Sequence, residues 1–494
     1  MMAHGSGLQV ERGNDRLERL FQHCADVAHH SYFLTEQESS HIIVTYSEGL
    51  CDTAEFNRVI LPELEKLEKT IGLSKLQSEG VYGLLPLNPI PEDATDAQLS
   101  EWLFQGDLLL RICCTGSLFR IGLSNRPGRN PEESSTEISI KGPKDGFIEE
   151  LMVNIALIRK RLRSESLAVE MMTLGRRTRT KTAILYMEDI ISPPIVEELR
   201  SRLQRIDVDG LYSINQLEEW LVDQKYSLFP LLDFTGRPDK VVASLLAGRF
   251  IVILDGNPMV LIGPGNLSLL MKSPEDLYFN FQYISFARMI RLLSLIISML
   301  LPGAWVALSS FHPDQLPYRL MATVASGRIG LPFTGQIELL ILLVLLEIFR
   351  EAGLRLPSSI GQTLTVVGGL IIGDASIRAG LVSPSVVVVG AITAVTSVTL
   401  VNQSLSGSVS VIRFFLFFIS AFLGMFGLLL GILLLIGYLS TLRSFGVPYL
   451  APLSPFSPAD ILKSIVRVPW RWMTKRPVTL HNHDNDHKRE GGGT

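Results

Sequence analysis

Cysteine is scarce: Cys24, Cys51, Cys113 and Cys114 are the only four in 494 residues, and none stands in a CxxC pair. That excludes a disulfide framework and suits a reducing compartment. A charge excess is lacking too. Against 45 Lys and Arg stand 49 Asp and Glu, so the net charge of -4 offers no global basic field for nucleic acid. Neither a GxxxxGKS or GxxxxGKT phosphate loop nor a GxSxG nucleophile elbow occurs, which leaves an enzyme reading little to stand on. No apolar run opens the chain in MMAHGSGLQVERGNDRLERL, which predicts that no cleaved signal peptide exports the first part. His23, His29 and His30 lack an acid or cysteine at ligand spacing, and His481, His483 and His487 sit in a polar, low-complexity end. No catalytic residue, cofactor or metal is expected.

Long hydrophobic runs are missing from the first 284 residues and crowded into the remainder of the chain. The 47% hydrophobic content and mean hydropathy of +0.28 therefore average a part that alternates charge and apolar residues with one that reads as membrane. The predicted fold is an α/β cytosolic region of two related subdomains followed by an α-helical polytopic membrane domain of four to five hydrophobic helices. Expected boundaries are a flexible arm over 1–35, α/β subdomains over 36–165 and 166–284, and a transmembrane domain over 285–441. A cytosolic Pro-rich and basic interfacial tail follows over 442–480, then a disordered terminus over 481–494.

In the first subdomain HIIVTYSE from His41 predicts a buried strand, AEFNRVILPELEKLE a helical run broken at Pro62, and DLLLRICC with SLFRIGLS a hairpin around Thr115-Gly116. The same grammar returns in TAILYMED, PIVEELRSRLQRI and LLAGRFIVILDGNPMVLIGP, with a turn at Asp255-Gly256. GFIEELMVNIALIRKRLRS is the expected joining helix. Arg176, Arg177, Arg179 and Lys181 introduce the second copy as a solvated linker.

Arg288 and Arg291 lead the uncharged run Leu292 to Leu308. Ile337 to Phe349 is apolar but carries Glu338 and Glu347. Gly361 to Gly380, which carries Asp374 and Arg378, and Leu381 to Val401 follow, separated by Arg378 to Pro384, and Phe414 to Thr441 holds no charge at all. Ionisable residues inside such segments point to function. Gly361, Gly369 and Gly373, with Thr365 between, form a flat ridge for close helix packing, and Gly427 and Gly431 repeat that spacing. The basic tail, with Arg443, Lys463, Arg467, Arg471, Lys475 and Arg476, predicts that both ends lie in the cytosol and hence an even number of crossings. Ile337 to Phe349 is then the interfacial or re-entrant element, and five full crossings are the alternative.

Four segments carry a resemblance: RPDKVVASLLAGRFIVILDGNPMVLIGP, SPEDLYFNF, FREAGLRLPSSIGQTLTVVGGLIIGDASIRAGLVSP and LRSFGVPYLAPLSP. From about Ser40 to Pro477 the sequence resembles the A subunits of the nutrient germinant receptors of endospore-forming bacteria, the GerA-type spore germination proteins. The resemblance implies a multi-pass protein of the spore inner membrane that signals the end of sporulation-derived dormancy, its N-terminal region cytosolic. It also implies a transporter-like B subunit and a lipoprotein C subunit as partners, self-association into a homo-oligomer, and a nutrient-gated ion path that triggers germination.

On that reading Val366, Val367, Leu370 and Ile371 close a hydrophobic gate, and Asp374 sets charge at one mouth. Asp374 and Arg378 as a plain i,i+4 pair is the alternative. Two other classes stay open: a secondary transporter subunit with a midplane substrate site, and a membrane-anchored signalling scaffold.

Overall fold

The computed structural model describes residues 16–35, 40–70, 72, 87–91, 93–124, 137, 139–355, 374–469, 475, 476, 478–480, 482–484 and 486. They divide between two compact units, one made of 1–222, 232–264 and 474–494, the other of 223–231 and 265–473.

The first unit is mixed α/β and holds two antiparallel sheets. β1 (Val27–Phe33), β2 (His41–Ser47), β3 (Leu87–Pro89), β4 (Leu108–Ile112) and β5 (Leu118–Ile121) lie in the order β1, β2, β4, β5, β3. β6 (Leu167–Leu174), β7 (Thr180–Met187), β8 (Asp233–Thr235), β9 (Phe250–Leu254) and β10 (Val260–Gly263) lie in the order β6, β7, β9, β10, β8. The repeated grammar of the sequence thus appears as one strand order used twice. Both hairpin turns fall where a glycine takes positive φ, Gly116 at 74° and Gly256 at 82°.

Near-continuous apolar strands are explained by cover on both faces. In the first sheet Leu108 and Leu110 pack with Phe56, Ile60 and Leu64, whereas Leu109, between them, packs with Leu99, Leu103 and Phe104. Phe56 and Ile60 stand on a π-helical stretch between α2 (Thr53–Glu55) and α3 (Leu61–Thr70), Leu64 on α3, and Leu99, Leu103 and Phe104 on α4 (Asp96–Phe104), while α1 (Arg16–Leu20) adds Leu17. In the second copy every residue of β9 is buried. Its helices are α5 (Leu151–Arg159), α6 (Pro193–Gln204), α7 (Ile214–Leu221) and α8 (Pro238–Leu246).

Four expectations change. The arm over 1–35 is held from Arg16 onward, because Leu17, Phe21, Cys24 and Val27 join the core and β1 pairs along its whole length with β2. The run around Pro62 is not broken: a π-helical stretch, Phe56–Ile60, joins α2 to α3, and Leu61 N–H donates to the Phe56 carbonyl. The ladder changes register there, so the proline's missing donor falls where one is least needed. Arg176, Arg177 and Arg179 lie in the hairpin between β6 and β7, not in a linker, and Arg177 Nε is 3.6 Å from Asp209. At the chain end Asn482 Nδ2 donates to the Ala247 carbonyl at 3.0 Å, and Arg476 Nε to Leu246 at 3.0 Å. These groups satisfy carbonyls at the C-terminus of α8 that the helix leaves open, which seats part of the segment expected to be disordered.

Buried ion pairs fasten the unit. Arg159 and Asp26, both wholly inaccessible, share two bonds of 2.8 and 2.9 Å, and Arg159 Cζ lies 4.0 Å from the centre of the Phe104 ring. The joining helix is thereby tied to the residue before β1. Beside it Val169 N–H donates to the His23 carbonyl, and Ala25 N–H to that of Val169, which ties the segment leading into β1 to the edge strand β6. Lys240 bridges Asp233 at 3.0 Å and Glu137 at 3.2 Å, and these carboxylates push its pKa up to about 12 against the opposing effect of burial.

The second unit is helical: α9 (Leu267–Leu270), α10 (Phe281–Val306), α11 (Tyr318–Gly327), α12 (Gly335–Arg355), α13 (Pro384–Val398), α14 (Gln403–Thr441) and α15 (Pro458–Ile465). A two-stranded ribbon, β11 (Arg443–Ser444) and β12 (Val447–Pro448), lies before α15. Among the described residues two helices are long and apolar enough to cross a membrane, Phe281–Phe311 and Gln403–Thr441, and Pro384–Val398 is apolar but shorter. The expected count of four to five is therefore not reached there.

The last apolar element also differs from its expected single span. At 39 residues α14 would run about 58 Å, twice a hydrocarbon core of about 30 Å. It breaks at Gly424, which takes φ 61° and ψ -139°. A Cβ at Gly427 would strike the Ile419 carbonyl, and one at Gly431 would lie 2.6 Å from Leu416 Cδ2. As the glycines advance their partners recede, which is the signature of a hairpin. The two limbs, 403–423 and 425–441, are each near the length of one crossing.

Candidate functional site

Apolar helices give the second unit its core. Val306 of α10, Leu339, Leu342 and Leu343 of α12, Val386 and Val389 of α13, and Phe417 of α14 pack as one cluster. Charge inside such a cluster is costly unless it is paired and hydrogen-bonded.

Glu338 meets that requirement by half. It is fully buried on the first turn of α12, and its Oε2 accepts from the backbone N–H of Ser383 at 2.9 Å. Ser383 is the N-cap of α13, so the carboxylate sits where the helix leaves its donors open and its dipole is positive. Oε1 has no hydrogen-bond partner among the described residues and lies 3.8 Å from Arg328 Nε. Arg328 fits there because Gly335 leaves the space: a Cβ on Gly335 would come within 2.8 Å of the guanidinium carbon.

Glu347 forms the second centre. Arg350, one turn on, pairs with its Oε1, and Arg413 from the first limb of α14 approaches Oε2 at 3.5 Å. Arg413 also donates to the Ser410 hydroxyl, and Arg350 Nη1 to that of Ser406 at 3.2 Å. Arg413 is 5% exposed, and its Nε has no partner among the described residues. Sequence reading missed this arginine because the uncharged run was counted from Phe414. Its signal was a lone cation beside an otherwise neutral segment, with a serine three residues before it.

Asp374 and Arg378 form an i,i+4 pair at 2.8 Å, with side chains 59% and 79% exposed. Gly361, Val366, Val367, Gly369, Leu370, Ile371 and Gly373 lie outside the described residues. Gly427 and Gly431 face Ile419, Leu423 and Leu416 of the preceding limb of their own hairpin. On that limb the Ser420 hydroxyl is buried without a hydrogen-bond partner among the described residues, 2.9 Å from where a Cβ on Gly303 of α10 would stand. No group of three or more His, Cys, Asp and Glu is placed to hold a metal among the described residues.

Residues 15–479 match the family described as Bacillus/Clostridium GerA spore germination protein. The chain is 39% identical to "Spore germination protein XA" of Bacillus anthracis over 97% of its own length and 98% of that protein. It is 35% identical to "Spore germination protein KA" of Bacillus subtilis (strain 168), covering 93% and 84%. A crystal structure of the N-terminal domain of the A subunit of the Bacillus megaterium spore germinant receptor GerK3 is 26% identical, at a TM-score of 0.37 over 50% of this chain and 91% of that one. The chain belongs to the GerA family of spore germination proteins, the A subunits of germinant receptors.

Proposed function

We propose that this protein is the membrane subunit of a nutrient germinant receptor whose copies assemble around a normally closed ion passage, and that opening the passage triggers germination. The observation that carries the reading is the burial of Glu338 and Arg413 among apolar helices, with the Glu347 side chain, 31% exposed, 3.5 Å from Arg413. A plain anchor has no use for ionisable groups there. In this reading the first unit is two related cytosolic subdomains, the second spans the spore inner membrane several times, and the tail over 442–480 lies on the cytosolic surface. The partners are a transporter-like B subunit and a lipoprotein C subunit.

The passage is lined by the segment 361–374, with Val366, Val367, Leu370 and Ile371 as its hydrophobic gate, Gly361, Gly369 and Gly373 as its packing ridge, and Asp374 at its mouth. Glu338 and the Glu347–Arg413 pair hold the surrounding helices in register. Replacing Val367 or Leu370 by a small or polar residue tests this. Ion leak without nutrient rises if these residues form the gate; an unchanged leak across the whole segment contradicts it.

A further inference from the structure

The helical unit contains a cavity of about 90 Å³ between α9, the start of α10, the turn at Leu450 to Leu453, and α15. Its walls are Leu267, Met271, Leu292, Leu450, Ile461 and Ile465, with Lys272 and Arg288 the two cations among its lining residues. The two serines in the wall, Ser268 and Ser464, bond each other at 2.5 Å and so satisfy one another. The interior therefore rewards hydrocarbon. Since an apolar cavity of about 150 Å³ accepts a benzene-sized molecule, this one takes a segment of a chain.

Cations outnumber acids over 267–292 and 450–469, with Lys272, Arg288, Arg291, Lys463 and Arg467 against Glu275, Asp276 and Asp460. Arg288 and Arg291 share the single carboxylate of Asp276, at 2.9 and 2.6 Å, and Arg467 donates to the carbonyls of Asp276 and Phe279. Burial and the neighbouring Arg288 both push the Arg467 pKa down, as expected where guanidinium groups crowd one acid. An anion arriving here is attracted.

The surroundings decide which anion. Arg288 and Leu292 belong to the first apolar helix long enough to cross a membrane, at its charged start. Around them Tyr283, Phe286 and Met289 of α10, Phe456 before α15 and Leu462 on it are exposed. Aromatic and apolar side chains mixed with Arg and Lys mark the headgroup level of a bilayer, so the molecule at hand is lipid.

We propose that this cavity binds an anionic phospholipid, with part of one acyl chain between α9 and α15 and the phosphate at Lys272 and Arg288. The inference rests on the membrane reading of the second unit. Full-length protein in neutral detergent, offered phosphatidylglycerol, phosphatidylcholine or glycerol phosphate, is weighed by native mass spectrometry. Flotation with phosphatidylcholine vesicles is measured separately, so that a protein that fails to float rejects the membrane reading itself.

The expected result is flotation together with preferential retention of one phosphatidylglycerol per copy. Met271→Trp fills the cavity but keeps the backbone carbonyl that accepts from Arg291, and Lys272→Glu reverses the charge at the cavity without touching its apolar walls. Each is expected to lower retention by about five- to tenfold while flotation is unchanged. Equal retention of phosphatidylcholine, or unchanged retention in both variants, overturns the proposal. So does stoichiometric retention of glycerol phosphate, which would make the site one for a free anion.

Discussion

Glu338 Oε2 accepts the N–H of Ser383 at 2.9 Å, which places a buried carboxylate of α12 on the open N-terminus of α13. The acid does what a capping side chain does, from another helix.

Removing it should be felt as a lost charged hydrogen bond, about 1.5–3 kcal/mol. Glu338→Ala is expected to lower the thermal midpoint of the detergent-solubilised protein, and Glu338→Gln, which keeps an acceptor, by less. Equal midpoints for both variants and the parent would show that the contact contributes nothing.

The break at Gly424 is specified twice, by a positive φ and by space. A Cβ there would lie 2.9 Å from Phe311 Cγ. Gly424→Ala should destabilise the hairpin, with about 1–3 kcal/mol from the backbone alone. In a double-mutant cycle Phe311→Ala should recover the steric part only. Full recovery would mean that the left-handed conformation is not enforced.

Arg159 and Asp26 make the opposite kind of test, since both ends are buried and mutually satisfied. Asp26→Ala leaves a guanidinium uncompensated and should cost about 3–5 kcal/mol. Hydrogen exchange over α5 and β1 reads this out, and the pair replaced together by Leu and Met should lose less. Loss confined to β1, with α5 still protected, would contradict the tie between them.

Glu218 sets a pH dependence. Burial, with Glu219 and Asp233 adding to it, pushes its carboxyl up to about 7. A carboxyl raised on folding favours its protonated form, so its penalty is absent below the unfolded value of 4.5, grows between that value and about 7, and is complete above it. Stability of the α/β unit should fall across that window by about 1–3 kcal/mol. Glu218→Gln should flatten the slope and be the more stable protein at pH 8. An unaltered slope in the variant would assign the effect elsewhere.

What could be read in the sequence was local. The apolar run of β9 ending at Asp255-Gly256 announces a hairpin, and its recurrence after Thr115-Gly116 announces the repeat. β1 was missed because VAHHSYF alternates weakly, and its place depends on pairing with β2. The capping of α13 by Glu338 spans 45 residues, and no periodicity reaches so far. Gly424 reads as one more small residue in an apolar run, and only the return of Gly431 to Leu416 shows a turn. Arg413 stands one position before the uncharged run that begins at Phe414, and its approach to Glu347 joins residues too far apart in sequence for any local pattern to link.

The central claim, that several copies enclose a closed passage, is tested most directly by joining size to conductance. Purified protein is reconstituted in liposomes at graded densities, its native mass is determined, and ion efflux is recorded with and without Leu370→Ser. The account predicts one defined oligomer, little efflux from the parent, and efflux from the variant that scales with the oligomer and not with total protein. A monomer at every density, with the variant as tight as the parent, would contradict it.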